Sequence, residues 1–296
     1  MIKAKDTDRN LREAILDLLA YCAIFKLALT DEEILWYIPV KANSVGVRSH
    51  LRKLQKRGKI KQLKSGKFGI KNIKYPSQKT TDAHLTLQTK KAKRWSYLFR
   101  LIPSVKAVVI SSDDLVESGN PSTNAHYIFI TLPNRIYIAK GALYYLLGTL
   151  RKRRSATNDE DSVYLDTFYT TAGLRFVESM GIDELGQTLW FILSQPVYGK
   201  QVWQEAIRNN PFLYKRLPNY PWQQHKSKIF SSFSQRLDKL DNIGYRKHLR
   251  HIADQPEFQD KKALLRIRPD TLIARPSHNV KMSEIKSRYK EIRSNL

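Results

Sequence analysis

The sequence contains a single cysteine, Cys22, and no long apolar run. One cysteine excludes a disulfide within the chain, and its place in the apolar stretch LLAYCAIF predicts a buried thiol. No apolar stretch approaches the roughly 18 residues that a membrane-spanning helix needs, and the opening residues MIKAKDTDRN lack the apolar segment of a signal peptide. We therefore expect a cytoplasmic protein with no membrane partner.

Acidic residues are scarce relative to basic ones. The 296 residues include 52 Lys and Arg but 27 Asp and Glu, which gives a formal net charge of +25. This excess predicts a polyanionic partner, and nucleic acid, either RNA or DNA, is the leading candidate. The sequence has neither a Walker-type loop nor a Gly-x-Gly-x-x-Gly loop, which excludes the usual glycine-rich cradles for nucleotide phosphates.

The N-terminal residues carry the pattern of three helices. Apolar side chains at spacings of three and four over residues 8–27 share one face of a first helix. Thr30 and Glu33 are placed as a capping box that starts a short second helix. Ser44 is placed as the N-cap of a third helix, which we expect to end at Gly58.

The third helix and the residues that follow it are strongly basic. The runs KIKQL and KFGIK predict a short hairpin, and three helices followed by a hairpin are the winged helix-turn-helix plan, which we expect over residues 1–75. In that plan the third helix enters the major groove and the wing touches the backbone. The cations expected to contact phosphate are Arg48, Arg52, Lys53, Lys56, Arg57, Lys64 and Lys67. The alternative is a protein-docking module with a solvated basic face.

The middle of the chain reads as a connector and then two strands. Residues 76–92 are rich in Lys and Thr without a clear period, which predicts a connector that turns helical near its end. Residues 108–131, VVISSDDLVESGNPSTNAHYIFIT, predict a strand, a polar loop and a second strand. The acids in this loop are either solvated or part of a metal site.

The run LIPSVKAVVISSDDLVESGNPSTNAHYIFITLPNRIYIAKGALYYLL resembles the core of a nucleotidyltransferase-fold family in which a winged helix precedes a minimal nucleotidyltransferase domain. Its members have an apolar strand, a Gly-Ser pair, a loop, Asp-x-Asp opening the next strand, and a Pro, Asn or Gly, Arg stretch opening a long helix. LREAILDLLAYCAIFKLALTDEEI and LSQPVYGKQVWQEAIRNNPFLYKRLPN are similar to its other helices. The resemblance implies an α+β fold with a nucleotidyltransferase-like mixed-sheet domain over residues 93–220 and a basic helical extension over residues 221–296.

The motif residues of that family are replaced in this chain. Aligned without gaps from Val105, the Gly-Ser positions fall on Ser112 and Asp113, and the Asp-x-Asp positions fall on Asn124 and His126. The family's carboxylates hold two metal ions at the transferring phosphoryl group, and neither Asn124 nor His126 supplies a charged oxygen. The resemblance therefore implies a scaffold that has lost its catalytic ligands and holds no metal or other cofactor.

An enzyme remains the alternative. In that case Mg²⁺ or Mn²⁺ would be the cofactor, and the resemblance implies that Asp166, in VYLDTFYTT, is a third carboxylate on a later strand. The catalytic residues would then be Asp113, Asp114 and Asp166. His248 and His251, three apart on a predicted helix, have no third ligand at metal-binding spacing, which favours solvated or phosphate-facing side chains.

Two further basic segments complete the pattern. A predicted helix, Ile136–Leu150, with Ile138, Leu143, Leu146, Leu147 and Leu150 as its packing set, ends in the cluster Arg151, Lys152, Arg153 and Arg154. This cluster either complements the helix dipole or binds phosphate. The C-terminal tail, with Arg288 and Lys290 among its cations, has few core positions, and we expect it to order against a partner.

These features together predict a non-catalytic nucleic-acid-binding protein on a degenerate nucleotidyltransferase scaffold, serving as a subunit of a larger ribonucleoprotein or DNA-processing complex. The alternatives are a metal-dependent nucleotidyltransferase that acts on RNA, DNA or protein, and a scaffold that docks proteins.

Overall fold

The computed structural model describes residues 2–111, 125–150, 163–173, 184–222, 235–253, 264–275 and 278–296. The helices are α1 (Ile2–Ile24), α2 (Asp31–Tyr37), α3 (Ser44–Lys56), α4 (Gln78–Phe99), α5 (Ile136–Thr149), α6 (Glu184–Leu193), α7 (Lys200–Arg208), α8 (Pro211–Arg216), α9 (Gln235–Ala253) and α10 (His278–Ser294). The strands are β1 (Ile60–Gln62), β2 (Phe68–Ile70), β3 (Val105–Ile110), β4 (Ala125–Thr131), β5 (Val163–Thr170), β6 (Gln195–Tyr198), β7 (Leu264–Ile267) and β8 (Thr271–Arg275). The α+β class predicted from the sequence is confirmed.

The capping residues of α2 and α3 show how local chemistry sets the N-terminal helices. The capping box of α2 forms as predicted, with Glu33 N donating to Thr30 Oγ1 at 3.1 Å and Thr30 N donating to Glu33 Oε2 at 2.8 Å. The N-cap of α3 is Asn43 rather than the predicted Ser44, because Asn43 Oδ1 accepts a hydrogen bond from Gly46 N at 2.8 Å. Ser44 is consequently the first helical residue.

Helix α4 begins at Gln78, so the prediction of an irregular connector over residues 76–92 is wrong for most of its length. Ala92 and Phe99, seven residues apart, are fully buried on one face of this helix. The stretch is rich in Lys, Gln and Thr, and Lys and Gln are good helix formers. Ser96, buried between them, is polar, so the apolar period is too sparse to be recognised in the sequence.

A mixed sheet lies at the centre of the larger core. Among the described strands its order is β6-β3-β4-β5-β8-β7. Strands β4 and β5 run parallel, and the other neighbours are antiparallel. Since parallel neighbours need a crossover, α5 lies in the connection between β4 and β5.

The two faces of the sheet bury alternate residues of each strand. On one face Tyr127 and Phe129 pack with α4 and α5, and on the other Ile128 and Ile130 pack with α6, α7 and α8. The turn from β6 to α7 fits closely over β3, because a Cβ at Gly199, whose φ is +68°, would lie 2.1 Å from the carbonyl oxygen of Lys106. Glycine is therefore required at this turn.

The buried face of α5 differs in part from the predicted packing set. Leu143 and Leu147 are buried as predicted, but Leu150 is exposed, and Ile138 and Leu146 are half-buried. The helix instead buries Ile136, Tyr137, Ala139, Leu143 and Leu147. The spacing of Ile136, Ala139, Leu143 and Leu147 keeps their side chains on one face. Leu150 continues that spacing but is the C-cap, beyond the last helical residue Thr149, and is exposed there.

Helix α6 joins the sheet to the core of the N-terminal helices. Leu189 packs in the core formed by α1, α2, α3 and the β1–β2 hairpin, whereas its neighbours Trp190 and Phe191 pack against the sheet. Asn219 strengthens the junction by accepting a hydrogen bond from Ala42 N at 3.0 Å and donating to the carbonyl oxygen of Val40 at 2.8 Å. The N-terminal core is thus completed by residues from far along the chain.

The C-terminal helix α10 packs on α1, so the expectation that the tail orders against a partner is wrong for this helix. Ile285 is buried in the N-terminal core. Tyr289 Oη donates to Asp17 Oδ1 at 3.0 Å, and Arg293 Nε donates to the same oxygen at 2.6 Å. Arg293 also pairs with Glu13. Burial alone would raise the pKa of the Glu13 carboxyl, but hydrogen bonds from Arg12 and Arg293 hold it below its usual range. Few apolar residues are needed here, because acids on α1 receive the donors of α10.

We predict that Ile285→Ala lowers the free energy of unfolding of the whole chain by about 2–5 kcal/mol, because it removes a buried side chain from the N-terminal core. Chemical denaturation monitored by tryptophan fluorescence measures this loss. Lys286→Ala, at the exposed neighbouring position, is the matched control and should change stability by less than about 0.5 kcal/mol. Equal stability of the two variants would contradict the packing of α10 described above.

Candidate nucleic-acid interface

Helix α3 is amphipathic, with one buried apolar face and one basic face. Val47, Leu51 and Leu54 are buried at spacings of four and three. His50 lies on the same side, with its Nδ1 atom 2.9 Å from the carbonyl oxygen of Gly46. This packing against α1, α2 and β1 fixes which side chains point outward.

The outward face of α3 brings together the predicted cations. Arg48, Arg52, Lys53, Lys56 and Arg57 are all exposed. An open depression of about 730 Å³ runs beside the helix, lined by Val45, Arg48, Ser49, Arg52, Lys53, Gln55 and Lys56. Since these residues recur every three or four positions, they form one straight stripe along the helix.

Arg48 has an acidic neighbour on α2. Its Nε lies 2.6 Å from Oδ2 of Asp31, and both side chains are partly exposed. An ion pair of this kind contributes about 0–1 kcal/mol to stability, so a phosphate can displace the carboxylate at little cost. The pair also holds the Arg48 guanidinium beside the first residue of α2.

The β1–β2 hairpin forms as predicted. Lys64 is exposed in the turn and Lys67 is half-buried at its end. Tyr75 folds back over the hairpin, where its hydroxyl oxygen accepts a hydrogen bond from Ile70 N at 2.8 Å and Lys61 lies 5.6 Å from its ring centre. Burial raises the pKa of Tyr75 to about 12, so this phenol stays neutral as the hairpin's anchor.

The residues of the resembled catalytic motif lie largely outside the described part of the chain. This applies to Ser112, Asp113, Asp114 and Asn124. His126 is described: it is half-buried at the start of β4, and its carbonyl oxygen accepts a hydrogen bond from Ser111 N at 2.9 Å. Trp190 Nε1 donates to Ser111 Oγ at 3.0 Å, so a tryptophan covers the end of β3, just before the motif.

Strand β5 carries Asp166 at an irregularity in the sheet. His126 pairs with Tyr164 but Ile128 pairs with Thr167, so β5 has one residue more than β4 between these points. Such a β-bulge changes the direction of side chains and is frequent beside active sites. The side chain of Asp166 lies outside the described atoms, and the described part of the chain contains no cluster of three or more His, Cys, Asp or Glu side chains arranged to hold a metal.

The contact between α9 and the start of α5 was not predicted from the sequence. Asp241 is buried, and its Oδ1 accepts hydrogen bonds from Tyr137 N and Ile138 N, each at 2.8 Å. Arg135, almost fully buried, pairs with Asp238 one turn before. Burial raises the pKa of Asp241, while the two amide donors and Arg135 oppose that rise. The carboxylate thus replaces the missing side-chain cap of α5.

The two histidines of α9 are in different environments. His248 is half-buried, and its Nε2 lies 3.1 Å from Nζ of Lys140, which donates to the neutral ring. Burial, Lys140 and His251 together lower the pKa of His248 to about 4. His251 is exposed. A histidine held neutral beside a lysine does not offer a positive charge to phosphate, so the phosphate-facing alternative is disfavoured for His248.

Two of the remaining predicted phosphate contacts lie on α10. Arg288 and Lys290 are exposed there, while Ile285 faces α1. The other set, Arg151, Lys152, Arg153 and Arg154, lies outside the described residues.

Comparisons with known proteins return no relative. No protein-family model, no curated protein and no solved structure matches this chain. Within the described residues, every helix is too short or too polar to cross a bilayer.

We predict that His248 makes stability depend on pH. Its folded pKa of about 4 lies below the ordinary value of 6.5, so the unfolded state binds the proton more tightly. The stabilisation by the neutral ring is complete above pH 6.5 and is lost as the pH falls towards 4. His248→Gln retains an acceptor for Lys140 but has no proton to bind. Over this pH range its free energy of unfolding should fall roughly 2 kcal/mol less than that of the wild type.

Denaturant titrations of both proteins at several pH values measure the difference. His251→Gln is the control, because His251 is exposed on the same helix. Parallel pH profiles for the wild type and His248→Gln would contradict the assignment.

Proposed function

We propose that this protein binds nucleic acid without catalysing nucleotidyl transfer. The observation that carries the proposal is the outward stripe of α3, in which Arg52, Lys53 and Lys56 lie exposed beside an open depression. A duplex presents a dense row of phosphates, and neutralising them releases counterions, which is the main source of affinity for a basic surface.

The arrangement of the N-terminal elements supports a winged helix-turn-helix assignment. Three helices precede a two-stranded hairpin, and the third helix has its basic face outward. In this plan α3 enters the major groove, while Lys64 and Lys67 on the hairpin reach the backbone. Arg288 and Lys290, exposed on α10, are proposed as further phosphate contacts, as is the cluster Arg151 to Arg154, which lies outside the described residues. The nucleic acid is RNA or DNA, and the chain serves as a subunit of a larger ribonucleoprotein or DNA-processing complex.

The nucleotidyltransferase-like part is proposed as a scaffold. The order of apolar strand, second strand and long helix in β3, β4 and α5 is consistent with the resemblance seen in the sequence, and Arg135 is the N-cap residue of that helix. Catalysis in this fold needs two carboxylates at the positions occupied by Asn124 and His126. An amide and a neutral imidazole provide no negatively charged oxygen to hold the two metal ions that would neutralise the charge on a triphosphate.

We predict that Arg52→Ala combined with Lys53→Ala weakens binding to both duplex RNA and duplex DNA and reduces the slope of log affinity against log salt by about 2, since each lost phosphate contact removes about one unit. Fluorescence anisotropy over a range of salt concentrations measures the slope. Lys239→Ala combined with Arg246→Ala removes the same charge from exposed positions on α9 and serves as the control.

The assignment of α3 as the nucleic-acid-binding helix would be overturned by a wild-type affinity that does not vary with salt. It would also be overturned if the control variant lost as much affinity as the α3 variant. A salt-independent protein complex that survives nuclease would favour the docking scaffold instead.

The enzyme alternative draws on the bulge at Asp166, and it has a direct test. We predict that the protein transfers no label from any of the radiolabelled ribonucleoside or deoxyribonucleoside triphosphates to RNA, DNA or protein, with either Mg²⁺ or Mn²⁺. Label transfer by the wild type that Asp166→Ala abolishes would show that the scaffold is catalytic. Asp270→Ala, which removes an exposed carboxylate before β8, is the matched control.

A further inference from the structure

Helix α4 presents a second basic face, separate from α3. The exposed side chains of its C-terminal half recur every three or four residues, which places them in one stripe, here called the α4 stripe: Lys90, Lys93, Arg94, Tyr97 and Arg100. Residues 87–101 contain no Asp or Glu. The stripe therefore offers positive charge with no acid beside it in sequence.

An exposed aromatic ring interrupts the cations of the α4 stripe. Tyr97 keeps 67% of its surface exposed, and its neighbour Leu101 keeps 70%. The guanidinium carbon of Arg100 lies 5.7 Å from the ring centre of Tyr97 and 5.1 Å from that of Tyr198, at the end of the edge strand β6. Cation–π contacts with two rings hold Arg100 in place. The apolar surface of Tyr97 nevertheless stays in water.

A ring flanked by cations is suited to a single strand. Unpaired bases stack on an exposed ring whatever their identity, while nearby lysines and arginines meet the phosphates. A duplex keeps its bases stacked on each other and offers none to Tyr97. From Lys90 to Arg100 the helix rises about 15 Å, roughly the length of four stacked nucleotides at 3.4 Å each.

The α3 surface lacks this chemistry. The sequence of α3, SVGVRSHLRKLQK, contains no Phe, Tyr or Trp, and the exposed apolar residue in its depression is Val45. The two faces therefore suit different forms of nucleic acid, since α3 offers charge for a duplex backbone and the α4 stripe offers charge and a stacking ring.

We propose that the α4 stripe is a binding platform for single-stranded nucleic acid, on which a base stacks against Tyr97 while Lys90, Lys93, Arg94 and Arg100 contact the phosphates. This inference rests on the proposed function and names a second ligand form, the single strand, for a separate surface. A junction between duplex and single strand, or a hairpin with an unpaired tail, would engage both faces.

The test uses the full chain and fluorescently labelled probes: a short oligouridylate, the matching oligothymidylate, and a duplex of each kind. Tyr97→Ala should weaken binding of both single strands at least about 5-fold, as expected for one lost base–aromatic stack, and leave duplex affinity unchanged. Tyr97→Phe and Tyr97→Trp retain a ring and should bind as the wild type does. A loss with oligouridylate alone would identify RNA as the ligand, and a loss with oligothymidylate alone would identify DNA.

Two variants separate this proposal from the previous one. Tyr145→Ala removes a similarly exposed tyrosine from α5 and should have no effect, and Arg52→Ala with Lys53→Ala should weaken the duplex probes more than the single strands. Unchanged single-strand affinity in Tyr97→Ala, or an equal loss for duplex, would overturn the platform, even where the α3 variant still weakens duplex binding. Failure of the wild type to bind any probe would overturn both proposals.

Discussion

Arg135 has its guanidinium almost fully buried, and a buried cation is stable only beside an anion that is itself held in place. Asp238 supplies that anion, and Asp241, one turn further along α9, accepts the first amides of α5. The two carboxylates fix α5 at the end where it leaves β4. Because α5 lies in the connection between the parallel strands β4 and β5, the central sheet depends on this polar contact as well as on its apolar faces.

The N-terminal core and the core of the central sheet also depend on each other. Leu189 belongs to the N-terminal core while Trp190, next to it, belongs to the sheet. Asn219 hydrogen-bonds the loop between α2 and α3, and α10 lies on α1. The basic face of α3 is therefore oriented relative to the sheet by three separate segments of the chain. A ligand on α3 meets a surface whose backing is shared with the rest of the molecule.

Sequence reasoning succeeded where the signal is local. The capping box of Thr30 and Glu33, the hairpin and the class of fold all follow from residues within a few positions of one another. It failed where partners are distant: the role of Asp241 depends on a helix that begins about a hundred residues earlier, and the packing of Ile285 depends on α1. The first half of helix α4 was not predicted for another reason: the buried positions described on this helix, Ala92, Ser96 and Phe99, all lie in its second half, and Ser96 is polar.

The N-terminal core is completed by residues far along the chain, among them Leu189, Asn219 and Ile285. This limits which segments of the chain can be exchanged during evolution. A domain whose core is complete in one continuous segment can be exchanged between genes as a unit. Here the core behind α3 is built from segments nearly three hundred residues apart, so moving the first helices alone would leave their apolar faces uncovered. Exchange of the first helices alone would therefore cost stability, and the structure favours exchange of the chain as a whole.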